Sequence, residues 1–119
     1  MAGYQADSGF PITASDQLAY NRWLSDQAHT RGLLIVLKND PEQAADLVGD
    51  FDLAIVEDCA VFRFCDAFLP FIPQGKPVFQ VEYNGRFASA SAFCAESREL
   101  GYSAQLKQRE LDAWSQHCR

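Results

Sequence analysis

Residues 33–40 read Leu-Leu-Ile-Val-Leu-Lys-Asn-Asp, five apolar side chains that stop abruptly at three polar ones. A strand with one wet face alternates apolar and polar residues. A continuous apolar run suits a parallel strand covered on both faces. The stretch therefore predicts a strand over 33–38. Leu53–Glu57, Leu-Ala-Ile-Val-Glu, reads the same way, and residues 78–83 and 104–107 complete four strand-like segments. Their starts lie 20 to 26 residues apart, room for one helix between each pair.

Helix signals fill those gaps. Thr13 is an N-cap with Asp16 in the first turn, and Leu18, Asn21, Leu24 and Ala28 follow on one face, with Tyr20 and Trp23 beside it. Gly32 stands where a left-handed residue ends a helix. Asn39 or Asp40 caps a second helix with Pro41 at its first position, running to about Val48. A third is expected over 61–72, bent or broken by Pro70. A fourth covers about 90–100 and ends at Gly101, and a last short turn holds Leu111 to Trp114. The order α-β-α-β-α-β-α-β-α defines an α/β fold of parallel (β/α) units. Such folds open on a strand, whereas this sequence opens on a loop and a helix, which predicts a further strand upstream.

Composition narrows the partners. The 119 residues carry a net charge of −6, so phosphate backbones are repelled and nucleic acid is not expected. No run approaches the ~18 apolar residues of a membrane span, and no signal peptide follows Met1. Four cysteines, Cys59, Cys65, Cys94 and Cys118, allow three pairings. A bond from Cys118 to Cys94 would pin the terminus. The alternative is four free thiols, two of them buried as small hydrophobes. His29 reads as a solvated surface residue and His117 as part of a tail. No metal site is expected, since no C-x2-C pair occurs and the two histidines are isolated. No nucleotide-binding glycine motif or nucleophile elbow is present, and no cofactor is expected.

The strand ends carry the chemistry. Lys38, Glu57, Glu82 and Lys107 each follow an apolar run at an equivalent place. Ligands of parallel β/α folds bind at the carboxyl ends of strands, and neighbouring strands lie ~4.8 Å apart. The four side chains are thus expected to line one wall. A carboxylate at such a mouth, beside apolar neighbours, has its pKa raised by desolvation and can serve as a general acid. Glu57 is the first candidate and Glu82 the second.

Several stretches then match a known family. Gly3-Tyr4, Asp7-Ser8-Gly9-Phe10-Pro11 and 18–24 (Leu-Ala-Tyr-Asn-Arg-Trp-Leu) resemble the middle of glycoside hydrolase family 114, the endo-α-1,4-polygalactosaminidases. The resemblance continues through Leu37-Lys38-Asn39-Asp40, Glu57-Asp58-Cys59, Cys65, Gly75-Lys76-Pro77-Val78-Phe79, Val81-Glu82-Tyr83, Phe93-Cys94, Leu106-Lys107 and Leu111-Asp112-Ala113-Trp114. It implies a (β/α)8 TIM barrel that cleaves α-1,4-linked galactosamine polymers, a cationic polysaccharide suited to an acidic protein. It also implies export, to an extracellular or periplasmic location, and the pairings Cys59–Cys65 and Cys94–Cys118. Residues 1–119 then form about half of the barrel, with the first four β/α units missing. Glu57 matches one catalytic carboxylate, although Val56 stands where the family has Asn before it. Lys38, Asn39, Glu82, Tyr83, Lys107 and Tyr4 fall where substrate contacts are expected. The family's Asp-Asn pair would precede Met1, and Ala2 stands where the later Asp of its Asp-Gly-Tyr is expected. Half a barrel with one of two acids is expected to be inactive alone. Two other readings fit the pattern: a non-catalytic carbohydrate-binding or structural half-barrel that self-associates through its open sheet edge, and a doubly wound receiver-like domain. The latter lacks the acidic cluster and central Asp it would need.

Overall fold

The computed structural model describes residues 3–119. A single five-stranded sheet runs in the order β1-β2-β3-β4-β5, with β1 Val36–Lys38, β2 Leu53–Glu57, β3 Val78–Tyr83, β4 Ser103–Lys107 and β5 Ser115–His117. The first four are parallel and adjacent in chain order, as the sequence pattern requires. The expected helical turn over 111–114 does not form, and the chain after it makes the fifth strand, antiparallel to β4. Its three residues, Ser-Gln-His, carry no strand signal of their own. They are held by the ladder to β4 and by a disulfide one residue further on.

Helix α1, Ala14–Thr30, starts at the predicted cap: Thr13 Oγ1 accepts the N–H of Asp16 at 3.1 Å, and Asp16 Oδ2 accepts the N–H of Thr13 at 2.9 Å. That reciprocal pair satisfies two otherwise orphaned donors. Its buried stripe, however, is Gln17, Asn21 and Ser25, a polar line rather than the apolar one expected. Gln17 Nε2 donates to Asn21 Oδ1 at 3.0 Å, and Ser25 Oγ donates to the carbonyl of Asp50, so these side chains are buried with partners. Leu18 packs against the core from the flank.

Three other expectations need correction. Strand β1 is shorter than 33–38, and Leu33 and Leu34 are exposed. Pairing starts only where Asp52 meets Ile35, its carboxylate accepting the Ile35 N–H at 2.7 Å. Helix α2 is reduced to Ala44–Leu47, because Asn39 (φ 52°) and Asp40 (φ 65°) are left-handed and spend their side chains elsewhere. The third helix splits into α3, Cys59–Phe62, and a 3-10 helix, Cys65–Gln74, containing Pro70 and Pro73. Arg63, left-handed at φ 58°, makes the break, and Cys59–Cys65 bridges it with Cα atoms 4.8 Å apart. Helix α4, Ser91–Glu99, ends as foreseen before Gly101, whose φ of 77° suits glycine.

Residues paired in a parallel ladder share a face, and successive residues alternate. One face therefore carries Leu37, Ala54, Val56, Val78, Ala104 and Leu106, all buried beneath the helices, where Phe68 and Phe71 of the 3-10 helix fill the core. The other carries Val36, Ile55, Phe79 and Ser103, and there Val36 and Phe79 are exposed. The sheet is covered on one side and open on the other, so β1 is not sandwiched as its apolar run suggests.

Cys94–Cys118, with Cα atoms 5.3 Å apart, anchors the terminal strand to α4. Replacing both cysteines by serine is expected to remove about 3 kcal/mol of stability, the loop-closure estimate for their separation of 24 residues. A urea titration followed by circular dichroism measures this. A loss under ~1 kcal/mol would mean that the β4–β5 ladder alone holds the terminus.

Candidate active site

The carboxyl ends of β1 to β4 lie together, and the alternation sorts their side chains. Lys38 pairs with Ile55, Glu57 with Val81, and Tyr83 with Lys107, which puts Lys38, Glu57, Tyr83 and Lys107 on the open face. Glu82 pairs with Leu106 and projects to the opposite face, where it is fully buried. The expected wall of Lys38, Glu57, Glu82 and Lys107 therefore holds for three of its members. Its fourth position is taken by Tyr83, and a Glu57–Glu82 pair across one ligand is ruled out by the sheet between them.

Glu57 is met from both neighbouring strands. Lys38 Nζ lies 2.9 Å from Glu57 Oε2, and Tyr83, on the same face of the neighbouring strand, lies close enough to the same carboxylate to lower it. Its backbone is fixed too, since the side-chain Oδ1 of Asn39 accepts the Glu57 N–H at 2.8 Å. The Asn39 N–H in turn donates to the Ile55 carbonyl at 3.0 Å. Asn39 thus extends the β1–β2 ladder beyond the end of β1 while its own backbone turns away. Asp58, immediately after Glu57, is also left-handed at φ 56°. Asn and Asp tolerate this conformation better than other residues, yet each such turn stores ~1–3 kcal/mol of strain, and strain of this kind gathers at functional sites.

The electrostatics differ from the sequence expectation. Burial, the largest single influence, pushes the Glu57 carboxyl up. The contacts of Lys38 and Tyr83 and the charges of Lys38 and Arg109 together outweigh it, and the group lies below its ordinary range. Glu57 is therefore ionised at neutral pH in this chain and does not hold a proton to donate. The same neighbourhood raises the Tyr83 phenol to about 12, through burial and the adjacent Glu57, so it keeps its proton.

The remaining predicted residues sit around this centre. Lys107 Nζ donates to the Asp112 carbonyl and braces the loop that follows β4. Tyr4 lies in a 3-10 turn, Gly3–Gln5, and its hydroxyl is shared between Asp40 Oδ1 at 3.3 Å and Glu42 Oε2 at 3.1 Å. Burial raises Asp40, which also meets Asn21 Nδ2 at 3.5 Å. Tyr4 and Asp40 therefore form a second polar cluster at the end of β1. Ala2 lies outside the described residues.

Sequence reading missed Arg109. Its guanidinium stacks on the Tyr83 ring, 4.5 Å from the centroid, and its Nη2 donates to Asp58 Oδ2 at 3.0 Å. Nothing local marks this residue among the polar positions after β4, because its partners are distant in sequence. His29, expected to be solvated, contacts Asp52 Oδ2 at 2.9 Å, helping to fix the start of β1.

Glu82 plays a different part. Its Oε1 accepts the Ala60 N–H at 2.8 Å and Gln80 Nε2 at 2.9 Å, so it caps the start of α3 from within the core. Its carboxylate and the sulfurs of Cys59 and Cys65 lie within 4.8 Å of one another. With both sulfurs in a disulfide, that trio offers no thiolate to a metal. Among the described residues, no helix is long and apolar enough to cross a membrane.

A parallel β/α sheet with helices on one face, an open inner face and an ionised carboxylate at the strand ends has the build of part of a TIM barrel. The profile of glycoside-hydrolase family GH114 matches residues 1–119, and the chain belongs to that family. The crystal structure of Aspergillus fumigatus Ega3 in complex with galactosamine superposes with a TM-score of 0.86 at 29% identity. The match covers 98% of this chain and 50% of that one, so the chain spans half of Ega3's length. No curated protein sequence matches.

Two titrations test this description. In Lys38→Met the bond and charge that lower Glu57 are gone and burial prevails. The Glu57 carboxyl should then titrate at higher pH than in the wild type, as read by 13C NMR of the side-chain carbons; an unmoved titration would mean that the Lys38 contact does not hold in solution. Glu82 has the opposite sign, because burial raises it, with the charge of Asp58 adding to the effect. A raised carboxyl contributes stability that is present below its unfolded value and lost as pH rises through its folded value. The stability of the wild type relative to Glu82→Gln should therefore fall as pH rises above the ordinary glutamate value of about 4.3, measured as the difference in Tm. A constant difference would place Glu82 in contact with solvent.

Proposed function

We propose that this chain is the C-terminal half of a (β/α)8-barrel glycosidase that hydrolyses α-1,4-linked galactosamine polymers, with Glu57 as one of its two catalytic carboxylates. One observation carries the reading. Among the described residues of the five strands, Glu57 is the one carboxylate on the open face, and it is held by Lys38 and Asn39 beside Tyr83. Galactosamine bound to Ega3 supports an aminosugar polymer as substrate, as does the net charge of −6, which attracts a polycation. Lys107 and Asn39 bear on the site through the loop and backbone they hold. Lys38, half-exposed, is the side chain placed to meet sugar hydroxyls next to Glu57, whereas Tyr83 is buried under Arg109 and bears on the site through Glu57.

Glycosidases of this kind use two carboxylates, ~5–9.5 Å apart depending on stereochemistry. The second belongs to the strand that, in the family, ends just before the position of Tyr4, and the preceding half of the barrel supplies it. Completing the barrel also completes the acid. A like charge nearby and the exclusion of water from the open face both push Glu57 upward, toward the protonated form a general acid needs. The 119 residues by themselves are inactive on this reading. Two disulfides agree with an exported parent, since such bonds persist in oxidising compartments.

The test is to fuse this chain to the N-terminal half of a family relative and to measure turnover of polygalactosamine. The fusion should be active, and Glu57→Gln should lower its rate by at least ~100-fold. An equally fast Glu57→Gln fusion would remove Glu57 from the chemistry. Turnover by the unfused chain at a rate ordinary for glycosidases would overturn the requirement for a second half.

A further inference from the structure

We propose that Arg109 is a positioning residue that fixes the Tyr83 ring beside Glu57 by stacking across it while anchored to Asp58. The inference rests on the reading of Glu57 as a catalytic carboxylate.

Arg109 lies in the loop between β4 and β5, outside the sheet, and reaches back over β3 to the end of β2. Its guanidinium makes two contacts at once, 4.5 Å from the Tyr83 ring centroid and 3.0 Å from Asp58 Oδ2. A planar cation with a fixed fork of donors can lie flat on a ring and bond a carboxylate at its edge. A lysine ammonium can pair with the carboxylate but cannot make both contacts in that geometry. The two anchors flank Glu57 in the fold: Asp58 is its chain neighbour, and Tyr83 lies on the same sheet face of the next strand, two residues beyond Val81, which pairs with Glu57.

The loop is itself braced. Lys107 Nζ donates to the Asp112 carbonyl, Asp112 Oδ1 accepts the Trp114 N–H at 3.0 Å, and the Leu111 N–H closes a turn onto Gln108 at 3.0 Å. The backbone carrying Arg109 is thus fixed from the end of β4. Asp58 is fixed from the other side, its N–H donating to the Val81 carbonyl at 3.0 Å. The strap from β4 to β2 passes over Tyr83, which has burial on one side and a cation on the other. The phenol ring is thereby enclosed on both sides next to Glu57.

Arg109 also acts on Glu57 directly through its charge. A double-mutant cycle separates that effect from positioning. The Glu57 titration is followed by 13C NMR in the 119-residue chain and in Arg109→Met, Tyr83→Phe, the double variant and Arg109→Lys. Positioning predicts that Arg109→Met moves the Glu57 titration upward more in the Tyr83 background than in Tyr83→Phe. It also predicts that Arg109→Lys, which keeps the charge, recovers only part of the shift. Equal shifts in both backgrounds, or full recovery by lysine, would reduce Arg109 to a charge and overturn the proposal. Arg109→Lys is the conservative fallback if Arg109→Met does not fold: full retention of the wild-type titration in it overturns the proposal on its own. The readout needs no turnover, so coupling found here beside an inert Glu57→Gln substitution in the fused barrel would keep Arg109 as the positioner of Tyr83 and reject the catalytic reading. In that fused barrel, Arg109→Met should also displace the acidic limb of the kcat profile in the same direction as the Glu57 titration.

Discussion

A residue in a strand faces one side of its sheet or the other, and a parallel register extends that choice to every neighbouring strand. Lys38 opposite Ile55, Glu57 opposite Val81 and Tyr83 opposite Lys107 are consequences of a single register. A slip of one residue by β2 would bury Glu57 beneath the helices, and the same slip by β3 would bring Glu82 out. The register is held by what the helix-side face buries: Leu37, Ala54, Val56, Val78 and Leu106 have their apolar partners on that side only. The polar site on the open face is thus positioned by hydrophobic packing behind the sheet.

The strand ends add a second constraint. Beyond its last ladder pair a strand would splay, and the turn residues here prevent it. Asn39, Asp40 and Asp58 all enter the left-handed region; the Asn39 side chain takes over a ladder bond to the Glu57 N–H, while those of Asp40 and Asp58 bind Tyr4 and Arg109. The strain of three such residues is offset because each also makes a site contact: Asn39 to the Glu57 amide, Asp40 to Tyr4, Asp58 to Arg109. The disulfide between Cys59 and Cys65 then pins the chain directly after Asp58, across the left-handed Arg63.

The two glutamates show how one side-chain type serves two ends. Glu57 meets Lys38, Tyr83 and the field of Arg109 at a partly open rim, and stays ionised. Glu82, one strand over and on the reverse face, is enclosed, caps α3 and is raised by burial. Neither outcome follows from being a carboxylate at a strand end. Each follows from what surrounds it.

The sequence by itself determined the periodic alternation of helices and strands, the parallel order of β1 to β4, the Thr13 cap, the family and the place of Glu57 at the end of β2. These are properties of local pattern: apolar runs, capping residues and turn glycines act over a few positions and leave a readable trace. Only the tertiary structure decided that Glu82 faces away from Glu57, that Tyr83 and Arg109 complete the cluster, that α1 buries a polar stripe, and that residues 115–117 form a fifth strand. Each of these depends on a register or a contact between residues far apart in the chain. A carboxylate's charge state and a side chain's face are set by those distant partners, and no local pattern encodes them.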